Sequence, residues 1–200
     1  MKSLGELAEI RTGYPFRGRI DREEDGNCLL VQMGDVRAGV AEVTDVQARV
    51  SLTEGPGKHS LKFGDVLFIG RGTRNDAVTF ACMAGNVIAA PHLFVLHPNV
   101  GFVVSGYLTW FLNLPETHEQ IRAMRRGSAV PFVPMNAFAR LAVPLPALEF
   151  QEKIAEIQRL SLEEQKLLSQ IRDRRRALVD GSLLEIVGRM TTDQFIKVQK

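Results

Sequence analysis

The chain has 200 residues, of which 45% are hydrophobic and 24% are charged, and its formal net charge at pH 7 is +2. This length and composition suit a soluble protein with one folded domain and an appendage. They exclude a membrane span, because no apolar run approaches the roughly 20 residues that a span requires. A net charge this small does not by itself indicate a nucleic-acid partner, so the distribution of the charges must decide that question.

The N-terminal segment carries Glu6 and Glu9 where a secretory signal needs continuous apolar residues, so we expect no signal peptide. Cys28 and Cys82 both stand beside apolar residues. Two such thiols in a chain of this size are expected to be reduced core residues of a cytoplasmic protein, with a disulfide as the less favoured alternative.

Residues 1–146 have the pattern of an α+β domain. Ser3 and Glu6 are spaced as a capping box, which predicts a short helix to about Ile10, and glycines and a proline then predict a turn-rich loop. Apolar residues at helical spacing predict helices over 105–112 and 116–124. Short apolar or β-branched runs predict the strands of a curved mixed β-sheet, at 28–33, 40–43, 66–69, 78–82, 87–89 and 93–96.

The segment 127–157 joins this domain to a charged helix. It begins with a Gly-Ser turn, passes through a short helical turn led by Asn136, and reads V-P-L-P before the helix. Because proline lacks an N–H and fixes φ, Pro144 and Pro146 must lie outside the helix interior. We therefore expect a helix that begins at a defined point after an extended stalk.

The charged helix is predicted from Leu148 to about Leu178, and a short second helix is predicted over 183–190, after Gly181. About 30 helical residues extend roughly 45 Å, so one small domain cannot cover an apolar stripe along the whole helix. Polar residues interrupt the stripe, so it is not a strong leucine zipper, but its three- and four-residue steps are typical of a helix–helix seam. The stripe consists of Ile154, Ile157, Leu160, Leu167, Leu168, Ile171 and Leu178.

The segment 127–157 resembles the junction between a target recognition domain and its spacer helix in the DNA-specificity (S) subunits of type I restriction-modification systems. Other stretches resemble the same family in order: L-G-E-L-A-E-I-R-T-G-Y-P-F-R-G, L-K-F-G-D-V-L-F-I-G-R-G-T, and I-A-A-P-H-L-F-V-L-H-P-N-V. The helix start departs from the family pattern, because Phe150 stands where an acid is common. Together the matching stretches span the chain to about residue 180.

The resemblance implies an α+β target recognition domain at 1–146, a long coiled-coil-like spacer and dimerisation helix at 147–180, and a short helix and tail at 181–200. A full-length S subunit resembles two such units in tandem, whereas this sequence has one, so a half-length form is expected. Two chains would pair as a homodimer through antiparallel spacer helices and read a two-part site on double-stranded DNA. The implied protein partners are methyltransferase (M) subunits. A restriction (R) subunit and a non-identical second chain are left open.

Arginine and asparagine can hydrogen-bond guanine and adenine edges bidentately, and other basic residues can hold phosphates. Each basic cluster alone is more often a solvated surface, but the family resemblance gives weight to the turn after residue 70. The candidates for DNA contact are Arg17, Arg19, Lys58, Lys62, Arg71, Arg74, Asn75, Arg125 and Arg126.

The sequence motifs do not predict catalysis, a metal site or a cofactor. His118-Glu119 lacks the second histidine of a zinc helix, and Glu164-Gln165-Lys166 is only a trace of a nuclease motif on a polar helix flank. The catalytic motif of methyltransferases is missing as well. We therefore predict a non-catalytic recognition subunit. The alternative is an S-like assembly protein that binds methyltransferase subunits without reading DNA, which the modest net charge favours.

Overall fold

The computed structural model describes residues 1–16, 18, 20, 23–37, 40 and 42–198, with side chains up to residue 187. It contains mixed β-sheets, short helices and a long C-terminal helix, which confirms the predicted fold class. The chain divides into two compact units, Met1–Leu160 and Ser161–Lys200. Among the helices that the structure describes, none combines the length and the apolarity needed to cross a bilayer.

The N-terminus forms β1 (Lys2–Ser3), α1 (Leu4–Leu7) and β2 (Ala8–Thr12). The Glu6 carboxylate accepts hydrogen bonds from the Ser3 hydroxyl and backbone N–H, as the capping-box spacing predicts, and these bonds lower the pKa of Glu6. The prediction that this helix continues to Ile10 is wrong. Residues 8–12 pair antiparallel with a later strand, and this tertiary pairing outweighs the local helix signal.

The main sheet has five strands in the order β2-β9-β6-β7-β4. The pairs β2–β9, β9–β6 and β6–β7 are antiparallel and β4–β7 is parallel, so the sheet is mixed as predicted. The runs 66–69 and 87–89 are confirmed as strands, and the other predicted runs differ at their ends by one or two residues. The strands are β4 (Glu42–Val43), β6 (Val66–Ile69), β7 (Ala77–Phe80) and β9 (Leu93–Pro98).

A second sheet has the order β5-β3-β8, with β3 at Cys28–Val31, β5 at Arg49–Val50 and β8 at Val87–Ala89. A third pairs β1 with β10 (Ala142–Val143) and so ties the N-terminus to the end of the domain. The sequence analysis missed β1, β5 and β10, because two residues are too few to show strand alternation. Both cysteines are buried and free, which confirms the expectation of reduced core thiols.

Three short helices complete this unit: α2 (Ser105–Leu112), α3 (Pro115–Met124) and α4 (Met135–Phe138). The predicted spans of α2 and α3 are confirmed, with α3 beginning one residue earlier, at a proline that suits the first helical turn. Phe68, Phe94 and Phe138 pack together in the core between the main sheet and these helices, with Phe68 and Phe138 ring centroids 4.4 Å apart. A 3₁₀ turn, Gly57–His59, precedes β6 in the chain.

The long helix α5 (Leu148–Val198) begins directly after Pro144 and Pro146, as predicted. Its first turns are held by the buried side chain of Gln151. The Gln151 carbonyl oxygen accepts the Val104 N–H at 3.0 Å, and its amide donates to the Phe102 and Pro146 carbonyls at 3.1 and 2.9 Å.

A close helix contact adds to this anchor. A Cβ built on Gly106 in α2 would lie 2.8 Å from the Ala155 Cβ, so only glycine permits this approach. The Tyr107 hydroxyl donates to the Pro144 carbonyl at 2.8 Å, and burial raises the pKa of Tyr107. The start of α5 is therefore built into the domain rather than attached by a free linker.

The prediction that the helix ends near Leu178 and that a second helix follows Gly181 is wrong, because α5 continues through Gly181 to Val198. One glycine lowers helix stability by only about 1 kcal/mol, and the flanking residues favour helix. Ile154 is partly buried and packs against the domain core, so it does not belong to the exposed stripe. The other six predicted seam residues are exposed: Ile157, Leu160, Leu167, Leu168, Ile171 and Leu178.

Candidate functional site

A tight turn at 70–76 connects β6 to β7 at one end of the main sheet. The Ile69 N–H donates to the Asp76 carbonyl at 3.0 Å and closes the turn, while the Gly70 N–H donates to the His92 carbonyl at 3.0 Å. Gly72 has a φ of +113°, which disfavours any residue with a side chain. The turn therefore has a defined conformation, fixed by backbone hydrogen bonds at the end of the main sheet.

A loop after α3 lies against this turn. The backbones of Arg126 and Phe132 exchange two hydrogen bonds of 2.9 Å, which close the loop 127–131. The Gly72 N–H donates to the Pro131 carbonyl and the Val133 N–H to the Gly70 carbonyl, both at 2.8 Å. We call the two segments, residues 70–76 and 125–132, the paired-loop surface.

Arg125 joins the two segments through its side chain. Its Nε donates to the Asn75 Oδ1 at 2.7 Å, and its Nη2 donates to the Thr73 carbonyl at 2.9 Å and also to the Asn75 Oδ1. Asn75 is buried, and its amide nitrogen donates to the Ile69 carbonyl at 2.8 Å. Both polar ends of the Asn75 side chain are therefore engaged inside the turn.

Arg74 is held loosely on the same turn. Its Nη1 lies 3.6 Å from the Asp76 carboxylate, and its Nη2 donates to the Met33 carbonyl at 3.1 Å. The Asp76 side chain is almost buried, and its Oδ2 has no hydrogen-bond partner within the described residues. Arg74 thus makes one ion pair, with Asp76, and one hydrogen bond, with the Met33 carbonyl, while about half of its side chain stays exposed.

Arg71 and Arg126 are two further exposed cations of the surface. In the part of the chain that the structure describes, neither guanidinium takes part in a hydrogen bond or ion pair. Phe132 and Val130 are 44% and 51% exposed beside them. Exposed arginines next to apolar side chains can hydrogen-bond base edges or phosphates while the apolar groups contact sugar or thymine methyl groups.

The structure does not bring all the predicted DNA-contact residues together. Lys62 precedes β6 and Arg71 follows it, so the strand separates the Lys58–Lys62 region from the paired-loop surface by on the order of 13 Å. Arg17 and Arg19 lie outside the described residues. The paired-loop surface therefore contains five of the predicted residues, namely Arg71, Arg74, Asn75, Arg125 and Arg126.

The expectation that Asn75 contacts a base edge stays untested, and in this geometry its amide is already engaged inside the turn. A base could reach the Asn75 amide only if the bonds to Arg125 and Ile69 broke, and a buried amide left without partners is unfavourable by about 1–3 kcal/mol. Sequence reasoning could not show that the Asn75 amide is engaged inside the turn, because the residue type does not indicate whether the side chain points inward or outward. Among the described residues, no group of His, Cys, Asp or Glu could hold a metal ion.

The comparison with solved structures identifies the fold. A chain from a type I R-M system, solved to explain its complex assembly and conformational transition, superposes with a TM-score of 0.61 and 18% identity, over 88% of this chain and 41% of that one. The protein has the fold of type I specificity subunits. The HsdS subunit of Thermoanaerobacter tengcongensis matches with a TM-score of 0.55 and 20% identity, over 82% of this chain and 37% of its own.

The type I S subunit of M. genitalium matches as well, with a TM-score of 0.52 and 13% identity, over 83% of this chain and 39% of its own. The chain thus spans about two fifths of the length of the S subunits it matches. No protein-family model matches the sequence, and no curated protein does. At these identities the likeness carries the S-subunit fold, and the residues of the paired-loop surface must carry any functional argument.

Proposed function

We propose that this chain is a DNA-recognition unit of a type I restriction-modification system and that it binds double-stranded DNA through the paired-loop surface. The observation that carries the proposal is the pair of exposed arginines, Arg71 and Arg126, on two loops that are bonded to each other. Neither guanidinium has a hydrogen-bond or ion-pair partner among the residues that the structure describes. Loops that are held rigid before binding lose little conformational entropy on contact with DNA. The S-subunit fold supports the same assignment.

The residues of this surface divide into two roles. Arg71 and Arg126 contact DNA, and Arg74 joins them when its weak attachment to Asp76 exchanges for a phosphate or base. Arg125 and Asn75 hold the two loops in position and do not read bases. The Lys58–Lys62 region contacts the DNA backbone outside the paired-loop surface.

The exposed stripe of α5 supports a second part of the proposal, which is pairing with the helix of another S-like chain. Six large apolar side chains from Ile157 to Leu178 are between 49% and 71% exposed, which is unfavourable in an isolated helix. An antiparallel pair would present two recognition domains to an inverted-repeat DNA site. Methyltransferase subunits, and a restriction subunit in a complete system, would then supply the chemistry in the cytoplasm.

The DNA-reading part is tested with Arg71→Gln/Arg126→Gln. A target is first selected from a pool of random duplexes with the wild-type protein, and binding is then measured by fluorescence anisotropy. The double variant should lose about 1–3 kcal/mol of discrimination for each bidentate base contact removed. Arg122→Gln is the matched control, because Arg122 is exposed on the neighbouring helix α3 and pairs only with Glu119 among described residues. Unchanged sequence preference in the double variant would refute the assignment.

The pairing part is tested by light scattering of the full chain at micromolar concentration. The expected mass is about 44 kDa, twice the 22.2 kDa of one chain. Leu168→Glu/Ile171→Glu should give a monomer because it places charges on the stripe. Lys166→Glu should leave the dimer intact, because Lys166 is exposed on the far side of the helix from the stripe. A wild-type monomer would remove this part of the proposal and leave the DNA-reading part standing.

A second function, assembly without DNA reading, is favoured by one observation. Three of the five predicted residues on the surface, Arg74, Asn75 and Arg125, are already bonded within the protein. If the chain is an assembly element, neutralising Arg71 and Arg126 leaves both complex formation and DNA affinity unchanged. The anisotropy experiment above therefore separates the two functions.

A further inference from the structure

A small polar cavity lies between the edge strand β2 and the segment that contains the 3₁₀ turn Gly57–His59. Its volume is about 80 Å³, which suits one small ion and not a nucleotide. It lies toward the start of β6, whereas the paired-loop surface lies at the end of that strand. Its lining residues are Glu9, Arg11, Lys58, Ser60, Lys62, Asp65 and His97.

The sheet register explains how the charged groups come together. Glu9 and Arg11 are two residues apart on β2, so their side chains share one face of the sheet, while Ala8 and Ile10 face the core. His97 on β9 stands opposite Glu9. The 57–62 segment covers this face, and its Ser60 carbonyl accepts a hydrogen bond from the Arg11 Nη2 at 3.0 Å.

The buried acid at this cavity is already satisfied by other groups. The Asp65 Oδ2 accepts the Lys62 backbone N–H at 2.9 Å, and its Oδ1 lies 2.7 Å from the His97 Nδ1. Glu9 and Asp65 raise the pKa of Arg11 through space, but burial lowers it and is the larger effect. The Arg11 Nη1 is buried, and within the described residues it has no hydrogen-bond partner.

Two lysines line the same cavity as Arg11. Lys58 and Lys62 are exposed at the cavity, next to Arg11. The pKa of His59 is lowered, first by burial and then by repulsion from Arg11 and Lys58, so both cations act on the same small region. The cavity also contains the carboxylates of Glu9 and Asp65, so its cations exceed its carboxylates by one. A buried N–H donor that has no acceptor among the described residues, beside two lysines, is the arrangement that an anion would complete.

We propose that this cavity is an oxyanion site that binds one phosphate group through Arg11, with Lys58 and Lys62 as supporting cations. The phosphate could come from the DNA backbone, in which case the site rests on the proposed function, or from free inorganic phosphate. If the phosphate belongs to DNA, the site adds a contact with the DNA backbone away from the paired-loop surface. Such a contact increases affinity and fixes register without sequence preference.

The experiment has two arms, each with Arg11→Gln, Lys58→Gln and the control Lys166→Gln, an exposed lysine on α5. In the first arm, inorganic phosphate is titrated at constant ionic strength while the His59 ring is followed by NMR. Phosphate binding should saturate and should raise the His59 pKa, because the anion offsets the charges of Arg11 and Lys58. Arg11→Gln should weaken binding by about tenfold or more, and Lys166→Gln should not change it.

In the second arm, the salt dependence of binding to a mixed-sequence DNA duplex is measured. Loss of one phosphate contact in Arg11→Gln or Lys58→Gln should reduce the slope of log affinity against log salt by about 0.9, equally for all sequences. Lys58→Gln keeps the conclusion independent of folding defects at Arg11, since Lys58 is exposed. A change in either arm supports the site and identifies its phosphate source.

The proposal is overturned if phosphate produces no saturable change and both variants keep the wild-type salt slope. Failure of the proposed function gives a different result. In that case wild-type protein would bind no DNA in the second arm, while the phosphate titration would still decide whether the oxyanion site exists.

Discussion

Replacing Gln151 should loosen the start of α5 from the rest of the unit Met1–Leu160. Its side chain is 1% exposed and makes three hydrogen bonds, one accepted from Val104 and two donated to Phe102 and Pro146. Gln151→Ala leaves one buried N–H and two buried carbonyls without this partner. At about 1–3 kcal/mol for an unsatisfied buried group, with part of the loss recovered by water in the cavity, we expect a total of about 3–4 kcal/mol.

The assay is urea denaturation of the full chain followed by circular dichroism, supported by thermal melting. A loss of about 3–4 kcal/mol corresponds to a decrease of roughly 6–16 °C in Tm for a unit of this size. Gln151→Leu separates hydrogen bonding from packing, because it keeps most of the side-chain volume and removes all three bonds. We expect Gln151→Leu to lower the free energy of unfolding by at least as much as Gln151→Ala does.

Gln165→Ala is the matched control, since Gln165 is an exposed glutamine further along the same helix. It should change stability by less than about 0.5 kcal/mol. If Gln151→Ala were as stable as this control, the side chain would not anchor the helix. If Gln151→Leu were as stable as wild type, packing alone would hold this junction, and the hydrogen-bond argument would be refuted.

Three further predictions concern other parts of the same unit. Gly106→Ala should destabilise the chain by about 1–3 kcal/mol through overpacking against Ala155, and adding Ala155→Gly should restore part of that loss in thermal melts. Because the pKa of His59 is lowered in the folded state, the unfolded chain binds more protons, so stability should fall as pH drops below about 6.5; a His59→Gln variant with the same pH dependence would contradict this. Asn75→Ala should weaken sequence preference in anisotropy by freeing Arg125, and a variant with wild-type discrimination would show that Asn75 does not position the turn.

Several features could be predicted from the sequence because their signals are local. The strand over 66–69 and the helix over 105–112 have apolar patterns that match one period, and Pro144 and Pro146 exclude helix before Leu148. Arg71 and Arg126 are exposed, as a DNA contact requires, but their contact with DNA stays a prediction. The S-subunit resemblance also came from residue order, and the fold comparison agrees with it.

Other features depend on contacts between residues far apart in the chain. The capping box at Ser3 favours helix, yet strand pairing across more than 80 residues converts 8–12 to β2. Asn75 is a residue type suited to a DNA contact, but its side chain is hydrogen-bonded to Arg125. Ile154 is a residue type suited to a helix seam, but it is partly buried against the domain core. Gln151 and Arg11 had no sequence signal for their roles.

The sequence by itself determined the local periodicity, the sites where proline stops a helix, and the order of motifs typical of S subunits. Only the tertiary structure decided which polar side chains are hydrogen-bonded within the protein and which remain exposed. The physical reason is that a side chain's hydrogen-bonding capacity is set by its type, whereas its partners and its burial are set by residues distant in sequence. The function proposed for the paired-loop surface relies on the side chains that folding leaves exposed.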